Sequence, residues 1–251
     1  MKRFRRALVT GASSGLGRQV CLELASRGTA IVACARRAEL LGGLVEELVA
    51  AGGDAVALPL DVTRPESVQG AIDAAPPFDL VVAAAGVAEH SVPDDDRGAS
   101  ARRVLDVNLL GAITTVEAAA ASMAAGGGTI AVISSLAGVR GVPGAAAYSA
   151  SKAALSTYLE ARAIELSGRA IDLVDVRPGF VRTPMTEPND FPMPFLMGVE
   201  AAARRTVDGI SAGGAVVTYP RRLAWPLRLV AALAPRWLWR RMLRRDRGEL
   251  A

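Results

Sequence analysis

Residues 6–26 read RALVTGASSGLGRQVCLELAS. A short apolar run, Ala7 to Thr10, enters Gly11-Ala-Ser-Ser-Gly15-Leu-Gly17 and leaves as an apolar pattern with helical spacing. Glycines at such a junction let the backbone turn sharply and approach a pyrophosphate, whose charge is met by free amide groups and the positive end of the helix dipole. A glycine-rich turn can also exist without a ligand. Its position at the very first strand-to-helix junction favours the nucleotide reading, with Thr10, Gly11, Ser13, Ser14, Gly15, Leu16 and Gly17 as the candidate cradle.

Outward from this junction the same rhythm repeats. Short β-branched or Ala-rich runs near 6–10, 29–34, 54–59, 79–84, 129–134, 171–177 and 215–218 predict strands. Helical spacing predicts helices near 15–27, 37–51, 65–74, 98–124, 148–167 and 199–211, with Thr63-Arg-Pro65-Glu66 as a helix start. Strands alternating with crossover helices predict an α/β, Rossmann-type, doubly wound parallel sheet of seven strands, binding ligands at the strands' carboxyl ends. A chain of 251 residues suits one domain of this kind, here residues 1–220 with an extra amphipathic tail at 221–251.

Two further features carry chemistry. The second strand ends Ala33-Cys-Ala-Arg36-Arg37 with no acid. A carboxylate there would hold the ribose hydroxyls of NAD, whereas a guanidinium offers the 2′-phosphate of NADP a charge-assisted contact. NADP(H) is therefore expected, with Arg36 as main contact and Arg37 as helper, and NAD(H) as the alternative; both arginines could also be ordinary first residues of the next helix. The second feature is Tyr148-Ser-Ala-Ser-Lys152, in a chain with only three tyrosines and two lysines. On a helix these side chains share a face, which brings the ammonium toward the phenol and favours phenolate. Ser135, thirteen residues upstream at a strand end, could hydrogen-bond a substrate oxygen.

Composition narrows the alternatives. Cys21, Cys34 and His90 are too few for a zinc site of the usual kind, so no metal is expected. A Ser-His or Cys-His mechanism would have to run through His90, which lies in a polar stretch that reads as a solvated loop. The cysteines read as buried structural thiols. Residues 2–6 carry four positive charges, and nine arginines in 221–251 face only Asp246 and Glu249, which leaves −7 on residues 7–220 of a chain whose net charge is +4. That asymmetry argues against a nucleic-acid-binding core and points to the tails as contacts for acidic surfaces. With no signal peptide or membrane span read from the sequence, a cytoplasmic location is expected, with a peripheral membrane role open.

With these residues in place, the sequence resembles the short-chain dehydrogenase/reductase family over residues 6 to about 218. Thr10 to Gly17 matches its TGxxxGxG motif and Tyr148 with Lys152 its YxxxK, while Ser135 falls at its catalytic serine. The resemblance implies that Asn108 orders a proton-relay water linked to Lys152, that Asp61-Val62 contacts the adenine, and that Pro178, Gly179, Val181 and Thr183 hold the nicotinamide carboxamide. Where the family has NNAG, this chain has Ala83-Ala84-Ala85-Gly86; Ala84 and Gly86 still line the expected cofactor path, but bracing by asparagine is lost. The implied activity is hydride transfer between NADP(H) and a carbonyl or alcohol carbon, with Tyr148 as general acid/base, Lys152 lowering its pKa and holding the nicotinamide ribose, and Ser135 polarising the substrate. A homodimer or homotetramer through 98–124 and 148–167 is also implied. A catalytically silent NADP-sensing module is the rival from another class, and it would not need Ser135, Tyr148 and Lys152 together.

Two segments break the rhythm. Residues 184–198, with four prolines among Met185, Phe191, Met193, Phe195, Leu196 and Met197, predict an irregular, mobile loop that either closes over an apolar small-molecule substrate or simply packs on the protein. Residues 221–247 mix three tryptophans with leucines and arginines, and Pro226 and Pro235 break them too often to span a bilayer. They read either as a membrane-surface element or as a helical pair covering the cleft or a subunit interface.

Overall fold

The computed structural model describes residues 1–88, 97–235, 237–239 and 241. Strand β1 (Arg6–Thr10) lies in the middle of a parallel sheet, flanked by β2 (Ala30–Ala35) on one side and β4 (Leu80–Ala83) on the other. Beyond them come β3 (Ala55–Pro59), β5 (Gly128–Ile133), β6 (Ile171–Pro178) and β7 (Val216–Tyr219), in the order β3-β2-β1-β4-β5-β6-β7. The order reverses between β1 and β4, so the loops after these strands diverge and leave a crevice at their carboxyl ends.

Both faces of the sheet are covered, as parallel sheets require. Helices α1 (Gly15–Ser26), α2 (Ala38–Ala50) and α7 (Val199–Ser211) bury Val20, Leu24, Leu41, Leu44, Val207 and Ile210 against Ala7, Val9, Ile31, Val82 and Val174. On the opposite face α3 (Pro65–Ala74), α5 (Gly111–Ser122) and α6 (Ala146–Leu166) set Val68, Ile72, Val116, Leu155 and Leu159 against Leu8, Val32, Val81 and Ile130. The alternation Ala7, Leu8, Val9 between the two cores is the period of two that an extended chain imposes. Cys21 and Cys34 are both buried free thiols.

Three local features depart from the expected elements. The single helix expected over 98–124 is α4 (Arg97–Leu105) and α5 joined by one wider π turn at Asp106–Leu110. That turn swings Asn108 inward, where it is fully buried. The loop after β6 is pinned at its ends: Val181 and Met197 form a parallel bridge, and the Met197 amide donates to Phe180 O at 3.0 Å. Pro226 does not end a helix but lies inside α8 (Arg221–Leu233), where its missing amide forgoes the bond to the Arg222 carbonyl, whereas Pro235 falls just beyond its end. His90 lies outside the described residues.

Candidate active site

The turn between β1 and α1 is glycine-rich first for packing. Gly11 has φ +69°, and a Cβ on it would lie 2.7 Å from the backbone of Ala85, while one on Gly17 would lie 2.5 Å from the Gly11 carbonyl oxygen. Only without side chains can this turn press against the end of β4 and against itself. Gly15, at φ +57°, instead faces Thr183. Thr10 ties the same crossing: its Oγ1 accepts from the amides of Ala84 (3.2 Å) and Ala85 (3.4 Å). A further brace comes from Asn108, whose Oδ1 accepts from Val87 N at 2.8 Å and whose Nδ2 donates to Val87 O at 2.9 Å and Ser151 Oγ at 3.4 Å. The segment after β4 is thus held by Thr10 and Asn108 rather than by asparagines of its own.

These loops enclose a cleft of about 420 Å³, within the range of small-molecule sites. Thr10, Gly11, Ser13, Ser14, Gly15, Leu16 and Gly17 form one wall; Arg36, Arg37, Asp61 and Val62 continue it past β2 and β3. Ala84 and Gly86 line the floor, and Ser135, Tyr148, Lys152, Pro178, Gly179, Val181 and Thr183 the far side. Asn108 alone among the expected residues does not line it. Its side chain acts as a brace between Val87 and α6, and both amide hydrogens are engaged there.

The two arginines are placed differently from each other. Arg37, at the N-cap of α2, folds back over the glycine turn, its Nη2 donating to Ser13 Oγ and Ser14 Oγ at 2.8 Å each and its Nε to Ser13 at 3.2 Å. Arg36 stays exposed on the rim. Partial burial would raise the Asp61 carboxyl, but hydrogen bonds from Thr63 and the charges of Arg36 and Arg64 outweigh it and hold that carboxyl below its usual range.

At the far side, Ser135 starts a short 3₁₀ turn (Leu136–Gly138) and its Oγ accepts from Ala137 N at 3.1 Å. The same hydroxyl lies near enough to the Tyr148 phenol to favour its ionised form. Lys152 is buried, with Nζ 5.8 Å from the Tyr148 ring centre and donating to Ile133 O at 2.7 Å. Burial pushes the Lys152 ammonium down to about 8, against an upward pull from the Asp175 carboxylate. It pushes the Tyr148 phenol up, more than the nearby Ser135 hydroxyl brings it down.

Two contributors carry no sequence motif. Asp175 on β6, almost fully buried, accepts from the Ser134 hydroxyl and pairs with Arg177 Nε at 2.7 Å. The Ser134 backbone amide donates to Val176 O at 2.8 Å. This clamp fixes the peptide segment that carries both the Ile133 carbonyl under Lys152 and the Ser135 hydroxyl. Gly138 is the second: a Cβ there would lie 2.8–2.9 Å from the α6 backbone at Lys152 and Ala153. Both depend on contacts distant in sequence; an aspartate in a strand read as buried was the one available signal. Of the apolar residues expected from 184–198, Met185 lines the cleft, while Phe191 and Phe195 are exposed.

Comparisons with known proteins bear on the family and the fold. Residues 5–191 match the short chain dehydrogenase family model. An oxidoreductase of Myxococcus xanthus, itself uncharacterized, is 42% identical over 235 residues, covering 92% of this chain and 93% of that protein. A variant of the actinorhodin polyketide ketoreductase solved with NADPH superposes with a TM-score of 0.75 at 26% identity, over 88% of this chain and 97% of that one. A Burkholderia phymatum short-chain dehydrogenase/reductase solved with NAD, 23% identical, shares the fold with a TM-score of 0.78 over 91% of this chain and 94% of its own.

Proposed function

The chain belongs to the short-chain dehydrogenase/reductase family, NAD(P)(H)-dependent oxidoreductases of carbonyl and alcohol groups, and on that premise we propose that it uses NADP(H) on an apolar substrate with Tyr148 as general acid/base. The observation that supports this reading most is the meeting of Ser135, Tyr148 and Lys152 in the cleft that also contains the glycine turn. A nucleotide-sensing module would need only the turn.

The residues fit the cofactor by chemistry and by shape. The tight turn brings the first turn of α1 to the cleft wall, with backbone amides that suit a pyrophosphate. Ser13, Ser14 and the Arg37 guanidinium form a donor cluster beside it, and the Arg36 charge on the rim completes a dianion-compatible corner. When bound, the nicotinamide supplies or accepts the hydride. Thr183, with Pro178, Gly179 and Val181, would orient its carboxamide, and Lys152 its ribose.

At the substrate oxygen, Ser135 would donate a hydrogen bond, and Tyr148 would deliver a proton to the oxygen during reduction or remove it during oxidation. Because burial raises its pKa, Tyr148 holds its proton at neutral pH, the state that carbonyl reduction requires. The Lys152 ammonium would then stabilise the phenolate left behind. Asn108 would act as a positioning residue for this wall. Met185 and the loop at 184–198 give the substrate side an apolar lining, so hydrophobic ketones and aldehydes are the first substrates to screen.

Fluorescence titration with NADPH and NADH tests the cofactor assignment. Arg37→Ala is expected to weaken NADPH binding about 10- to 100-fold, the loss of charge-assisted hydrogen bonds, and to leave NADH binding nearly unchanged. Tighter binding of NADH by the unaltered protein would refute the phosphate assignment.

A further inference from the structure

Helix α8 buries Ala224 and half-buries Leu223, Leu227 and Val230 against the body, as an amphipathic helix should. Its outer face is apolar as well. Trp225, Leu229 and Leu233 recur every four residues and are 73%, 61% and 73% exposed; Trp237, four residues further on, is 65% exposed. Large side chains left in water along α8 and just past its end signify a surface made to be covered.

The charge around the row identifies what covers it. Arg221 and Arg222 are exposed on the first turn of α8, and among the described residues neither makes an ion pair. They belong to a segment with nine arginines against two acids, attached to a body of net negative charge. A second copy of the chain would bring the same cationic segment to its twin, or would have to pair it with the acidic body. An anionic lipid surface satisfies both features at once, with rings and leucines at the headgroup boundary and guanidinium groups on the phosphates.

The tail is also joined to the cleft. Trp239 Nε1 donates to Gly141 O at 3.1 Å, the Arg140 guanidinium lies 5.7 Å from the centre of the Trp239 ring, and Arg140 donates to Ala234 O. Residues 140 and 141 belong to the loop between Ser135 and Tyr148. At its other end α8 packs Leu223 and Pro220 onto Gly179, where an added Cβ would meet them at 3.2 and 3.1 Å.

We infer that the outer face of α8 and the turn after it dock on an anionic membrane surface, with the Trp225-Leu229-Leu233-Trp237 row inserted at the headgroup level. Docking there holds the active-site loop next to lipid. The inference is independent of the cofactor assignment and goes beyond the catalytic reading.

All three tryptophans lie in this tail, at 225, 237 and 239, so intrinsic fluorescence reports on it alone. The full chain is mixed with vesicles of phosphatidylcholine, with or without phosphatidylglycerol, and sedimented at low and high salt. The account expects at least about tenfold more protein on the anionic vesicles at low salt, a fall at high salt, a blue-shifted tryptophan emission and quenching by brominated lipid. The variant W225S/L229S/L233S/W237S is expected to lose at least about tenfold in vesicle binding while its NADPH affinity stays unchanged. Equal binding of variant and full chain, or no binding of the full chain to anionic vesicles, overturns the inference. So does a concentration-dependent dimer abolished by the same substitutions without lipid binding, which would assign the face to a second copy. If far-UV circular dichroism shows the variant unfolded, quenching of the unaltered chain by brominated lipid decides alone.

Discussion

Tyr148 and Lys152 lie one helical turn apart on α6, but the lysine aims its ammonium at the Ile133 carbonyl. The charged and titratable groups facing it are Asp175 from β6 and Tyr148 from its own helix, and part of the Asp175 charge is taken by Arg177. Lys152 is a cation below a pKa of about 8 and loses its proton as pH rises through that value. Its attraction for the developing phenolate is then lost, so kcat/KM for carbonyl reduction should fall on the alkaline side. Asp175→Asn removes the upward pull on the lysine and should move that limb to lower pH. A pH–rate profile checks this, with NADPH affinity as the control for folding; an unmoved limb would show that Asp175 only supports the backbone. The YxxxK pair and Ser135 were legible in the sequence because their spacing is local. Asp175 was not, since its partner Ser134 is 41 residues away. For the arginines, the end of β2 told which residues carry charge there, but the backward fold of Arg37 onto Ser13 and Ser14 follows from tertiary geometry.

At the scale of elements, the site depends on how closely a short turn approaches a helix. The 3₁₀ turn that begins at Ser135 rests on α6 through Gly138, with no space for a methyl group between its Cα and the backbone of Lys152 and Ala153. Gly138→Ala should therefore cost about 1–3 kcal/mol of stability by overpacking. It should also lower kcat by about tenfold or more through displacement of Ser135 from Tyr148. Thermal unfolding and steady-state kinetics read the two effects; a variant with unchanged kcat would mean that the turn does not set the Ser135 geometry. Periodicity located all seven strands to within a residue or two, because each side of a parallel sheet demands apolar residues. It could not show the π turn at Asp106–Leu110, which goes with the pairing of Asn108 to the Val87 backbone. Likewise the prolines of 184–198 foretold irregular backbone, but the Val181–Met197 bridge that anchors the loop pairs residues on either side of them.

For the whole molecule, the crevice at the reversal of strand order draws its walls from segments following β1 to β6. A ligand gripping all of them binds only the folded chain and stabilises it as a unit. At 100 times its Kd the gain is about 2.7 kcal/mol, or roughly 5–10 °C in Tm for a domain of this size. At equal concentration NADPH should raise Tm more than NADH, and the opposite order would contradict a phosphate site formed by Arg36 and Arg37. On the proposed function two tasks are separated: the sheet's loops would hold the cofactor, and α6 with the Ser135 turn would move the proton. The most direct measurement is therefore made on Tyr148→Phe, with NADPH affinity by fluorescence titration and turnover of a carbonyl substrate side by side. The account predicts affinity within about twofold of the unaltered protein and turnover reduced at least about 10²- to 10⁴-fold, the worth of a positioned general acid. Near-normal turnover in that variant would contradict it.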